Sequence, residues 1–230
     1  MINQLHKRWW KVLGAVLMLY TFTAGMMIQV PARFVLHETI RNLFFHVPVW
    51  FTMILLLLVS LVQSVRFLRT GKMVHDIMAA ETAAVAVLFG CLGFLTGMLW
   101  GSFTWGDTFS WLFADTKILG AFIGLMIYAA YFILRGSIND EEKRARVAAV
   151  YSIFAYMLLI VFIFVIPRLT DSLHPGNGGN PAFSTYDLDN SMRTVFYPAV
   201  FAYFLTGLWI ASLRVRVRIL HYRKHHINVL

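Results

Sequence analysis

Two histidines, His46 and His174, and three tryptophans between them, Trp100, Trp105 and Trp111, are the residues of this chain best suited to chemistry. His46 stands directly before Val47-Pro48. Proline favours the first turn of a helix, so His46 is expected to cap or open one. There it can bond a free backbone N–H. Equally, the positive helix end can keep the ring neutral and able to ligate a metal. His174 begins His174-Pro175-Gly176-Asn177-Gly178-Gly179-Asn180-Pro181, which is turn chemistry throughout. Taken alone it reads as an ordinary exposed histidine.

The tryptophans fall in the stretch Gly97–Lys117, interrupted by Gly101 and Gly106. Such a stretch offers flat aromatic surface and close backbone approach. One reading is an aromatic belt at headgroup depth. The other takes the histidines into account. Haem iron accepts axial imidazoles, and aromatic side chains pack on the macrocycle. Arg33, Arg41, Lys117, Arg168 and Arg193 can pair with its propionates. His37, in Leu36-His37-Glu38, is the third histidine of this group.

The elements that must position these residues are membrane helices. Of 230 residues, 59% are hydrophobic and 13% charged, with mean hydropathy +0.68, which implies an all-α polytopic membrane protein. Six apolar runs reach spanning length, at 12–30, 47–65, 77–99, 118–134, 147–166 and 195–213. They are expected to form one six-helix bundle covering residues 1–230. The first run, though preceded by Lys7, Arg8 and Lys11, is read as a retained helix and not a signal peptide. An even number of spans puts both termini on one side. That side holds 15 of the 20 Lys and Arg residues, so both termini are expected to be cytoplasmic. Segments 31–46, 100–117 and 167–194 then become external loops carrying His37, His46, His174, the three tryptophans and the five basic residues paired with propionates above.

The formal net charge of +9 gathers at the ends of the apolar runs, which argues for the lipid bilayer and not nucleic acid as its counterpart. The single cysteine, Cys91, excludes an intramolecular disulfide and is read as a packing residue. No Cys-x-x-Cys-His, P-loop, His-Glu-x-x-His or Gly-x-Ser-x-Gly occurs, so no independent catalytic function is expected. Glu81 is read as interfacial, and Asp140–Arg146 as a mixed-charge turn.

The order Leu99-Trp100-Gly101, Trp105-Gly106, Trp111 and Asp115 resembles the tryptophan-rich signature, ending in Trp-Asp, of haem-handling membrane proteins. With six helices and two external histidines, the chain resembles the CcmC family of cytochrome c maturation. Ile40–Pro48 is similar to the segment carrying that family's first axial histidine, and Asp171–Gly176 to the second. The signature departs from the family in having Ala114 where tryptophan is usual and Lys117 where arginine is usual. Lysine lacks arginine's bidentate fork.

The resemblance implies a multi-pass protein of the bacterial inner membrane that holds non-covalent haem b. His46 and His174 would be the metal ligands, and Trp100, Gly101, Trp105, Trp111, Asp115, Lys117 and Arg41 the surrounding contacts. It further implies presentation of haem to the periplasmic chaperone CcmE. The expected partners are the ABC-transporter subunits CcmA and CcmB and the small membrane peptide CcmD. The competing expectation is a transporter subunit whose aromatic stretch is only an interfacial belt.

Overall fold

The structure is a computed structural model that describes residues 7–31, 36–106, 115–170, 172, 174 and 188–227. Six long helices follow one another: α1 (Trp9–Met27), α2 (Leu43–Thr70), α3 (Met73–Trp105), α4 (Thr116–Gly136), α5 (Glu141–Ile160) and α6 (Asn190–Ile227). A 3-10 turn at His37–Asn42 leads into α2. A π turn at Val161–Val165 and a 3-10 turn at Ile166–Arg168 extend α5. All six segments are long and apolar enough to cross a membrane, and no strand occurs among the described residues. Large apolar side chains such as Leu95, Leu99, Phe154 and Phe201 are exposed, as expected where hydrocarbon is the solvent.

α2, α3, α4 and α6 are longer than the apolar runs suggest, and α1 and α5 are shifted along the chain. α3 continues to Trp105, so Trp100 and Trp105 are helical instead of lying in a loop. Gly101 does not end it, since glycine is well tolerated in membrane helices and no proline follows. Asp140–Arg146 opens α5: the Asp140 side chain accepts from the Lys143 N–H at 2.6 Å, and Glu141 and Glu142 favour the positive helix end. α6 runs far past Leu213 because its arginine-rich continuation remains helical. Hydropathy marks only the lipid-crossing part of such a helix.

α2 and α3 form an antiparallel hairpin at the centre, turned by Gly71 at φ 66°, whose N–H donates to the Phe67 carbonyl at 2.8 Å. The left-handed backbone there suits glycine. α6 packs on α1, α2 and α3, while α4 and α5 pair on the other side. Met53, Leu56, Leu57, Phe89, Leu125 and Tyr128 fill the shared core. Cys91 is exposed on α3 and does not pack inside the bundle.

The end of the bundle that holds both termini is fastened by polar pairs. Arg135 donates from both terminal nitrogens to Asp76, at 2.7 and 2.5 Å, in a buried fork. Arg214 Nε donates to Glu81 at 2.8 Å, so Glu81 joins α3 to α6. His75 Nδ1 meets Gln63 Oε1 at 2.8 Å.

Candidate functional site

At the opposite end a cavity of about 190 Å³ opens between α2, α3, α4 and the irregular end of α5. His46, Trp100, Trp105, Lys117, Arg168 and His174 all line it. Residues 128 positions apart are thus brought to one place by the bundle.

His46 does not cap a helix. The chain is already helical before it, so the residue sits inside the first turns of α2, 7% exposed. Its seat is made by α3. On α2, His46 and Trp50 are one turn apart, and on α3 so are Gly93 and Gly97. A Cβ on Gly97 would lie 2.8 Å from His46 Cε1, and one on Gly93 would lie 2.9 Å from the Trp50 indole. Two glycines at helical spacing therefore let both rings lie against the α3 backbone.

His46 Nδ1 lies 3.0 Å from Thr96 Oγ1. The Thr96 hydroxyl proton goes to the Leu92 carbonyl at 2.8 Å or the Gly93 carbonyl at 3.1 Å. With its proton so used, the hydroxyl oxygen accepts from His46, the assignment that puts the ring proton on Nδ1 and a lone pair on Nε2.

His174 is half-buried and faces the same space. The two imidazole centroids are 6.3 Å apart, with planes inclined at 42°. Trp100 meets His174 edge-on at 6.3 Å and Trp105 at 4.8 Å. The Trp100 Nε1–H is buried and finds no acceptor among the described residues. A buried donor of this kind costs free energy until an acceptor arrives. Arg168, offered by the turn after α5, stacks over Phe164 with 5.6 Å from guanidinium to ring.

The remaining expected site residues serve the frame. Asp115 is the N-cap of α4: Oδ1 accepts from the Lys117 and Ile118 N–H groups at 2.9 and 3.3 Å, and Oδ2 accepts from Ser172 at 2.7 Å. Lys117 lines the cavity and also donates to the His174 carbonyl at 3.0 Å. Arg41 lies outside the cavity lining. Its guanidinium donates to the Gly25 and Ile28 carbonyls at 3.0 and 2.5 Å, closing the C-terminal end of α1, and to Glu38 at 2.7 Å. Gly101 is buried in α3. Arg193 donates to the Leu188 carbonyl at 3.1 Å. His37 is exposed at φ 42°. Trp111 and Arg33 lie outside the described residues.

Sequence reasoning missed Thr96, Trp50, Gly93, Gly97 and Ser172. The matched spacing of His46/Trp50 and Gly93/Gly97 was a usable signal, because it pairs two bulky rings with two bare backbone positions.

A six-helix, multi-pass membrane protein with a histidine- and tryptophan-lined cavity at one end is the class that fold and site define. The chain belongs to the heme exporter protein C family, whose model matches residues 1–230. Heme exporter protein C of Bradyrhizobium diazoefficiens is 24% identical over 177 residues, 76% of this chain and 66% of the relative. That of Paracoccus denitrificans is 23% identical over 186 residues, 79% of this chain and 73% of the relative. The cytochrome c biogenesis protein CcsA of Prochlorococcus marinus is 33% identical over 90 residues, 39% of this chain and 27% of the relative.

Proposed function

We propose that this chain handles haem for cytochrome c biogenesis, holding it non-covalently as haem b at the outer face of the bacterial inner membrane. His46 and His174 are the axial ligands, and the cargo passes on to a periplasmic chaperone of the CcmE kind. The observation that carries this reading is the imidazole pair, with centroids 6.3 Å apart in one cavity. A metal–nitrogen bond is about 2 Å and an imidazole centroid lies roughly 1 Å behind its donor atom, so two trans ligands put their centroids about 6 Å apart. The His46 tautomer supports the reading too, since Nδ1 is occupied and Nε2 keeps the lone pair that a metal needs.

Haem supplies the iron and two propionates. The chain supplies the rest. Trp100 and Trp105 wall the site, and the Trp100 N–H has a hydrogen bond to give. Lys117 and Arg168 bring positive charge to the rim. Positive-inside asymmetry supports the outward orientation: the terminal side carries 15 of 20 basic residues. The family to which the chain belongs supports work alongside the ABC-transporter subunits CcmA and CcmB, and we include the peptide CcmD among the partners.

The test is an absorption spectrum of the detergent-purified protein. The wild type should show a Soret band with low-spin, bis-imidazole character. His46→Ala should lose stable haem altogether, because His46 is a buried helical residue at the centre of the site. His174→Ala should keep weaker, high-spin haem that added imidazole returns toward low spin. The reverse ranking would overturn the ligand roles, and a wild type with no Soret band would leave the tryptophans as an interfacial belt.

A further inference from the structure

We propose that Asp115 and Ser172 form a clasp that fixes the position of His174, making both of them positioning residues and not contacts to the cargo. The step from there to iron ligation rests on the reading of His174 given above.

The geometry is a short ladder between the start of α4 and the segment following α5. Thr116 Oγ1 lies 2.6 Å from Thr170 Oγ1. Ser172 Oγ donates to Asp115 Oδ2 at 2.7 Å and accepts from the His174 N–H at 3.0 Å. Lys117 Nζ donates to the His174 carbonyl at 3.0 Å. Three consecutive residues of one element thus hold residues 170, 172 and 174 of the other. The centre of the ladder is buried, with Asp115 5% and Ser172 8% exposed.

The chemistry explains why a carboxylate stands at Asp115. Its two oxygens do two jobs: one satisfies the free N–H groups of α4, the other accepts the Ser172 hydroxyl proton. A carboxylate makes a stronger acceptor than a neutral oxygen does. Ser172 is then polarised to accept from the His174 backbone. Both peptide groups of His174 are engaged, its N–H by Ser172 and its carbonyl by Lys117, so the backbone beneath the imidazole is set before any ligand arrives. Without such ordering, a ligand on a segment outside regular structure would lose chain entropy when it binds. Pre-payment of that entropy is what a positioning device contributes.

The test uses the full chain in detergent, haem-free, with Cys91→Ser removing the native thiol and His174→Cys placing a reporter. The clasp uses only the backbone of residue 174, so this change leaves it intact. Maleimide labelling of the reporter should speed up about tenfold on adding Ser172→Ala, the scale expected from losing a buried hydrogen bond to a charged group. Ser172→Thr, which keeps the hydroxyl, should return the rate toward the parent. Asp115→Asn retains a good N-cap and should also speed labelling, with α-helical circular dichroism unchanged. Equal labelling rates in the Ser172→Ala and parent proteins would overturn the clasp.

A second readout separates the clasp from the haem reading. In the otherwise native chain, Ser172→Ala should shift bound haem from low spin toward high spin, with Ser172→Thr restoring it. Faster labelling together with an unaltered spectrum would keep the clasp and remove His174 as a ligand.

Discussion

The two ends of the bundle treat polar side chains in opposite ways. At the end holding the termini, polar groups answer one another across helices: Asp76 with Arg135, Glu81 with Arg214, Gln63 with His75. At the other end, side chains converge on a cavity. There an indole N–H lacks an acceptor among the described residues, and two imidazoles lie with centroids 6.3 Å apart on one cavity. The first end is closed chemistry whose product is a fixed bundle. The second holds binding capacity in reserve, and it can do so because the first supplies rigidity. A bundle loose at both ends would have no fixed distance between His46 and His174.

The largest effect should follow from breaking the closed end. Arg135→Ala leaves the buried Asp76 carboxyl without its partner, and breaking a buried pair in this way costs about 3–5 kcal/mol. The unfolding midpoint in detergent should fall accordingly. Asp76→Leu combined with Arg135→Met should recover most of the loss, because a matched apolar pair replaces a matched ionic one. Protein that remains folded should keep its haem spectrum. A spectrum that collapses along with the ion pair would show that the ends are not separable.

A smaller effect, confined to the cavity end, is expected from Gly97→Ala. The added methyl would stand 2.8 Å from His46 Cε1 and must push the ring aside. Haem affinity should drop by about tenfold to a hundredfold, the range seen when support of a ligand is disturbed, while the unfolding midpoint moves little. Gly136→Ala, where nothing lies within 4 Å, is the matched control. Equal titrations for the two variants would remove the seat assigned to His46.

The smallest effect belongs to Thr96→Val, which deletes one hydroxyl of nearly equal volume. His46 then loses the acceptor that holds its proton on Nδ1. Affinity should weaken by about tenfold, with a shift in reduction potential, and Thr96→Ser should restore both. A potential unmoved by Thr96→Val would place control of the tautomer elsewhere, at the Gly93 carbonyl.

These variants divide along the line between what the sequence disclosed and what it did not. Spans, the two histidines and the tryptophans were legible because each stands out in one dimension: a long apolar run, a rare titratable ring, an unusual local cluster. Gly97 and Thr96 were not, since one glycine or threonine in a membrane helix is ordinary until His46 is known to lie opposite. The contacts of Arg41 were hidden for the same reason. An arginine beside a presumed site looks available, and only the fold shows it committed to the end of α1. Asp115 was legible as the acidic end of the tryptophan-rich stretch, but its partners at Ser172 and in the α4 backbone are visible only once α4 and the segment after α5 are side by side. Helix ends were blurred where charge and helicity coincide, as at Glu141 and beyond Leu213.

One turn of α5 has a bearing on how the chain length itself is read. The π turn at Val161–Val165 holds one residue more than an α turn would. Each residue of an α-helix advances the side-chain direction by about 100°. A turn with one residue more spreads its side chains over a wider arc, and Ile163, Phe164, Pro167 and Arg168 all line the cavity. Gly120 on α4 receives the displaced backbone, since any side chain there would strike the Phe162 carbonyl oxygen. Composition and hydropathy would barely register the loss of that residue, yet the turn that holds it is where the α5 backbone comes up against Gly120.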